Sequence, residues 1–289
     1  MEWINNSGPH HPRKGKHSDA FSEFIVEDLY TASKSIRNAF QNGTLAYDLN
    51  VPVATKAGKR GSAEATENDI DLALGKPQKA TKTKSAGPLR AALKSGALRV
   101  LVEHKTITTA HRNAHNRLND MDKFAKHAFE TNPRLVVAGT VLLGTTLTYL
   151  SVEEIDRILS GFKHLTTIPY WTKRLGQAAN SAPELSKDYW HKKMFTSDAE
   201  LLEAWGETNA MKRNKPRDVE SSFQIFVDGI PLRHSITKIG YDAFLLAPVH
   251  IDNIAPCRLD DDGFPDRRDQ MTYDRFLKSI VKSYESRFA

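Results

Sequence analysis

The chain is poor in cysteine. Its 289 residues include one, Cys257, which excludes an internal disulfide and any zinc cluster built on cysteine. A lone thiol suits a reducing compartment, so a cytoplasmic location is expected. The opening stretch, MEWINNSGPHHPRKGKHSD, lacks the apolar run of a secretory leader. Long apolar runs are scarce elsewhere too. Leu135 to Val152, LVVAGTVLLGTTLTYLSV, is free of charge and approaches the length of a membrane span. Its four threonines and two glycines, among many β-branched residues, predict buried strands joined by a turn instead. Acidic residues are missing from Leu72 to Val102, a span that holds Lys76, Lys79, Lys82, Lys84, Arg90, Lys94 and Arg99. The net charge of +6 favours a polyanionic partner.

The length suits one large domain or two small ones and allows a substantial core. Residues 1–18 are polar and basic and read as a flexible arm. Residues 19–289 read as a single domain, with a core over about 21–150 plus 221–289 and a helical elaboration over about 153–220. Phe21, Phe24, Ile25, Leu29, Ala32, Ile36 and Phe40 recur at steps of three and four and predict one helix, which QNGT ends. ENDIDLAL alternates and predicts a half-buried strand. A basic loop follows, with LRAALKSG as a short helix. RVLVEHK predicts the next strand. TTAHRNAHNRLNDMDKFAKHAF predicts a helix with Thr108 or Thr109 as its N-cap. PRLVVAGTVLLG and GYDAFLLAPVHI read as buried strands and SSFQIFVDGIPLR as a hairpin arm. A final helix buries Tyr273, Phe276, Leu277, Ile280, Val281, Tyr284 and Phe288.

Chemistry concentrates at RVLVEHK. Side chains alternate along a strand, so Glu103 and Lys105 share one face and His104 takes the other. Asp69 and Asp71 share a face of the preceding strand. If the two strands pair, carboxylates and an ammonium converge at their ends. Hard oxygen ligands suit Mg²⁺, which keeps waters and reaches toward phosphate oxygens. A lysine beside such an ion can hold the attacking water and neutralise developing charge. The set suits hydrolysis of a phosphodiester. The plain alternative is a surface ion pair of little energetic weight.

An aspartate in DIDLAL followed by EHK at the end of an apolar strand resembles the PD-(D/E)XK nuclease superfamily, which includes restriction endonucleases. The predicted order from residue 21 to 150 is similar to that superfamily's α-β-β-β-α-β core. The resemblance implies an α/β fold, a mixed central sheet flanked by helices, here with a helical insertion. It implies Asp71, Glu103 and Lys105 as catalytic residues, with Asp71 and Glu103 holding one or two Mg²⁺ ions and Asp69 as an alternative ligand. It implies a type II restriction-type endonuclease on double-stranded DNA, working as a homodimer. No proline precedes the aspartate, and Asp71 lies 103 − 71 = 32 residues before Glu103, a gap that an inserted basic loop accounts for. Rival readings are a non-cleaving DNA-binding module on the same fold and a defence or repair nuclease of low sequence specificity.

Lys76, Lys79, Lys82 and Lys84 are candidate phosphate contacts, against a solvated loop. Arg112, near the start of the helix after EHK, is another. His111 and His115 lie one helical turn apart without an evident third metal ligand. Asp28 borders the first helix's apolar stripe and reads as structural. DDDGFPD, from Asp260, lacks the spacing of a calcium loop. Trp171, Trp190 and Trp205 read as core.

Overall fold

The computed structural model describes residues 5–6, 9–10, 15–53, 68–79, 87–108, 113–160, 169–175, 195, 197–260 and 271–289. Six strands form the main sheet in the order β1-β2-β3-β4-β7-β8. β1 (Ala46–Val53), β2 (Asn68–Pro77) and β3 (Leu93–Ile107) make an antiparallel meander. β3 then runs parallel to β4 (Val136–Gly144), and β4 parallel to β7 (Ala243–His250). The short β8 (Arg258–Leu259) closes the far edge, antiparallel to β7. The fold is α/β with a mixed sheet flanked by helices, as expected.

Helices cover both faces. α1 (Lys16–Ala32), α2 (Lys34–Gln41) and the C-terminal helix α8 (Tyr273–Phe288) bury Ile25, Leu29, Ile36, Phe276 and Ile280 against Leu72, Val100, Val102 and Leu245. α3 (Ala114–Thr131) and α7 (Pro216–Gly229) bury Met121, Ala125, Phe223 and Phe226 against Leu101, Val137 and Leu246. Covered on both sides, β4 is buried along its whole length, which explains its unbroken apolar sequence. Between β4 and α7 lies the insertion: β5 (Thr148–Leu150), α4 (Val152–Ser160), α5 (Pro169–Leu175), α6 (Asp198–Trp205) and β6 (Met211–Arg213). It has its own core, in which the tilted rings of Trp171 and Trp205 pack 5.0 Å apart. Trp190 lies outside the described residues. Leu135–Val152 is β4, a turn and β5, and among the described residues no helix is long and apolar enough to cross a membrane.

Several local expectations need correction. The first helix is two, broken at Ser33, whose backbone is extended. Its Oγ accepts from the Ile36 N–H at 3.2 Å and donates to Glu285 on α8 at 2.8 Å, so the second helix is capped and tied to the end of the chain. LRAALKSG is no helix. Leu93 onward belongs to β3 and pairs with β2, where a Cβ on Gly75 would stand 2.8 Å from the Ala97 carbonyl. Strand pairing here overrides the helix propensity of Ala, Leu and Lys. SSFQIFVDGIPLR is not a hairpin arm. Phe223, Ile225 and Val227 alternate over that short window, but Val219, Phe223, Phe226 and Val227 fit a helical face, and Pro216 starts α7. β1 carries no clear strand signature because Asn50 (φ 53°) and Pro52 interrupt its pattern. As an edge strand it tolerates the proline. Within the arm, His10 and His17 are buried, and His10 exchanges hydrogen bonds with Asn253, its N–H donating to Oδ1 at 2.8 Å.

At the opening of β4 and β7, buried Asp242 accepts from Arg233 at 2.7 Å, from Arg287 of α8 at 3.0 Å and from the Val137 N–H at 2.9 Å. Burial alone would raise its pKa, yet these donors hold it below the usual carboxylate range.

Candidate active site at the β2–β3 fork

β2 and β3 pair from Pro77 and Leu93 as far as Leu72 and Val102. There the ladder ends, and β2 follows β1 to Asn68. One residue past the ladder, Asp71 accepts a 2.7 Å hydrogen bond from the backbone N–H of His104. Its carboxylate therefore sits in the fork, against the peptide that joins Glu103 to His104. Lys105 Nζ donates to Glu103 Oε1 along the same face of β3. The fork thus brings Asp71, Glu103 and Lys105 together.

Glu103 is only 13% exposed. Its register partner on β4 is Gly139, and a Cβ there would stand 2.7 Å from both Met121 Cε and the Tyr241 ring. The missing side chain lets α3 and Tyr241 close over the glutamate. Tyr241 is fixed by donating its hydroxyl to the Met121 carbonyl at 2.7 Å. Burial raises the Glu103 pKa to about 7, with Lys105 opposing the shift and Asp71 adding to it. Tyr241 titrates well above its ordinary value because of its own burial, then because of Glu103.

α3 forms the second wall. A cleft of about 540 Å³ is lined by Asp69, Ile70, Glu103, Lys105, Asp120, Lys123, Phe124 and His127. Asp120, Lys123, Phe124 and His127 follow the i, i+3, i+4, i+7 spacing of one helical face. In the sequence this face shows only that spacing beside the apolar stripe, which any solvated helix face also has. Nε2 of His127 is buried and has no hydrogen-bond partner among the described residues. Of the two aspartates on β2, Asp69 lines the cleft, while Asp71 is held to the His104 N–H.

The opposite face of β3 is closed. The His104 ring contacts Ser22 Oγ at 2.9 Å and Thr140 Oγ1 at 2.7 Å, with Phe21 5.1 Å away. Burial lowers its pKa to about 4, so the ring is neutral.

Among the described residues no three His, Cys, Asp or Glu side chains form a ready metal cage. Mg²⁺ does not require one, because it binds through one or two carboxylates, waters and substrate phosphate. Asp71 and Glu103 are two carboxylates that could serve in that way. A buried carboxylate with a raised pKa is also one whose negative charge its surroundings under-compensate.

Other candidates fall elsewhere. Lys76 and Lys79 are exposed, but at the opposite end of the β2–β3 hairpin. Lys76 is 76 − 71 = 5 residues from Asp71 along the strand, about 17 Å. Lys82, Lys84, Arg112 and His111 lie outside the described residues. α3 starts at Ala114 after Asn113, so Thr108 and Thr109 are not its N-cap. Its first turn is nine residues past Lys105 (114 − 105), not immediately beside it. His115 is exposed on that turn. Asp28 accepts from the Tyr273 hydroxyl of α8 at 2.7 Å, a structural contact. Asp260 donates its N–H to the Pro248 carbonyl at 3.0 Å and accepts from Thr145; the rest of DDDGFPD lies outside the described residues.

No protein-family model matches this chain, and no curated protein or solved structure matches it either.

Proposed function

We propose that this chain is a Mg²⁺-dependent endonuclease of double-stranded DNA, built on a restriction-endonuclease-like PD-(D/E)XK core. The observation that carries the reading is the Asp71 carboxylate bound to the His104 N–H, beside the Glu103–Lys105 pair. The run α2-β1-β2-β3-α3-β4, with an antiparallel meander and then a parallel crossover, supports it.

In this reading Asp71 and Glu103 hold the ion, with Asp69 as the alternative ligand. The ion, when bound, makes a coordinated water easier to deprotonate and stabilises negative charge on the phosphate. Lys105 orients the attacking water and neutralises charge on the phosphoryl oxygens. The water oxygen forms the new P–O bond, the sugar oxygen leaves, and a proton passes from the water side to the leaving oxygen. Glu103 must be ionised to act as a ligand, so its pKa near 7 makes metal loading rise with pH through neutrality. Cutting both strands takes two such sites, which favours a homodimer.

The test is a cleavage assay on methylation-free plasmid and phage DNA, with Mg²⁺ or with EDTA, alongside Lys105→Ala. Discrete fragments that require both Mg²⁺ and Lys105 are expected. A smear would assign a nuclease of low sequence preference. Binding without cleavage would assign the non-cleaving module, and cleavage by Lys105→Ala at the wild-type rate would sink the mechanism.

A further inference from the structure

Lys76 and Lys79 lie at the far end of the β2–β3 hairpin, whereas a second basic segment is tied to the chain just past Lys105. MKRNKPR runs from β6 into the start of α7 and carries Lys212, Arg213, Lys215 and Arg217. Asn214 pins it. Its Nδ2 donates to the Thr108 carbonyl at 3.1 Å and to the Thr146 carbonyl at 2.9 Å, and its N–H donates to the Leu147 carbonyl at 2.8 Å. Thr108 directly follows β3 and is three residues past Lys105 (108 − 105), about 10 Å of extended chain. The face agrees as well: α7, which the segment opens, packs with α3 on the side of the sheet that carries Leu101 and Phe244, the side to which Glu103 and Lys105 also belong by alternation.

The charges of this segment are only partly spent within the chain. Lys212 reaches Glu154 at 3.4 Å, and Arg217, with its side chain 79% exposed, lies 3.6 Å from Asp218. Arg213 and Lys215 are exposed and have no acidic partner among the described residues. β6 and its pairing with β5 hold Arg213 opposite Thr148, so the cations sit on a fixed turn.

Resting on the nuclease reading above, we propose that Arg213, Lys215 and Arg217 grip the phosphate backbone of duplex DNA beside the scissile phosphodiester, and that Lys76 and Lys79 do not. Duplex DNA carries about one negative charge per 1.7 Å of axis. A cationic turn tied to Thr108, itself about 10 Å of extended chain past Lys105, therefore meets phosphates of the same duplex segment.

The experiment is binding of a fluorescent DNA duplex in EDTA, where no cleavage occurs, over a range of salt concentrations. The proteins are wild type, a triple variant Arg213→Ala, Lys215→Ala, Arg217→Ala, and a double variant Lys76→Ala, Lys79→Ala. Each phosphate contact contributes roughly 0.9 to the slope of log K against log salt. The triple variant is expected to lose about 2–3 from that slope and at least about tenfold in affinity at low salt. The double variant is expected to match wild type, as is a charge-conserving triple variant Arg213→Lys, Lys215→Arg, Arg217→Lys. A triple alanine variant with the wild-type slope overturns this assignment alone. A wild-type protein that binds no duplex at any salt overturns the nuclease reading with it.

Discussion

His104 and Glu103 are neighbours on β3, and both are largely buried, but on opposite faces. The two faces treat their polar atoms differently. The His104 ring has a partner at each nitrogen, Ser22 and Thr140, and stays neutral. Glu103 has Lys105, yet burial and Asp71 still hold its pKa near 7. One face is a completed polar network inside a core. The other is an incompletely compensated charge at the wall of a cleft. Burial by itself therefore does not separate a structural polar residue from a reactive one; the degree of satisfaction does.

The sharpest way to break this comparison is to remove one cation from the cleft face. Lys105→Ala should slow Mg²⁺-dependent cleavage by about 10²–10³-fold and leave the melting temperature close to wild type. A large loss of stability with unchanged rate per folded molecule would mean that Lys105 is structural. On the closed face the order reverses. His104→Ala leaves a cavity and strands Ser22 and Thr140, so unfolding in urea should show a loss of about 3 kcal/mol.

Titration separates the faces again. Glu103 binds its proton more tightly in the folded chain than at its ordinary 4.5. Its contribution to stability is full below that value and is lost as pH rises toward about 7. His104 works in the other direction. Its contribution is present above its ordinary 6.5 and is lost as pH falls toward about 4. Between 4.5 and 6.5 the two slopes oppose each other. Glu103→Gln removes one of them. Its stability should then rise across that window by on the order of 2 kcal/mol more than wild type does. Urea midpoints at three pH values would show it, and parallel profiles for the two proteins would refute the burial of Glu103. The smallest expected effect is at Gly139. Gly139→Ala forces Met121 and Tyr241 away from β4 and should cost about 1–2 kcal/mol by thermal melting.

Much of the site is legible in the sequence. RVLVEHK declares its strand by composition, and period-two alternation puts Glu103 and Lys105 on one face whatever lies around them. The C-terminal helix and the unbroken apolar β4 and β7 are equally plain, since their patterns are long or uniform. The wall contributed by α3 is not legible in the same way, because Asp120, Lys123 and His127 look like an ordinary solvated face until the helix is docked. The helix expected at LRAALKSG fails for a similar reason: a partner strand decides its conformation.

The sequence alone determined the periodicities, and with them which side chains share a face, because those follow from backbone geometry within a few residues. Only the tertiary structure decided what each face meets. The bond from Ser33 to Glu285 joins residues 252 apart, and that from Asp71 to His104 joins residues 33 apart. Whether a basic segment lies at the open or the far end of the sheet depends on strand direction and crossover. Lys76 and Lys79 fall at the far end, and Arg213 and Lys215 at the near one, since long-range pairing rather than local propensity sets where a loop emerges.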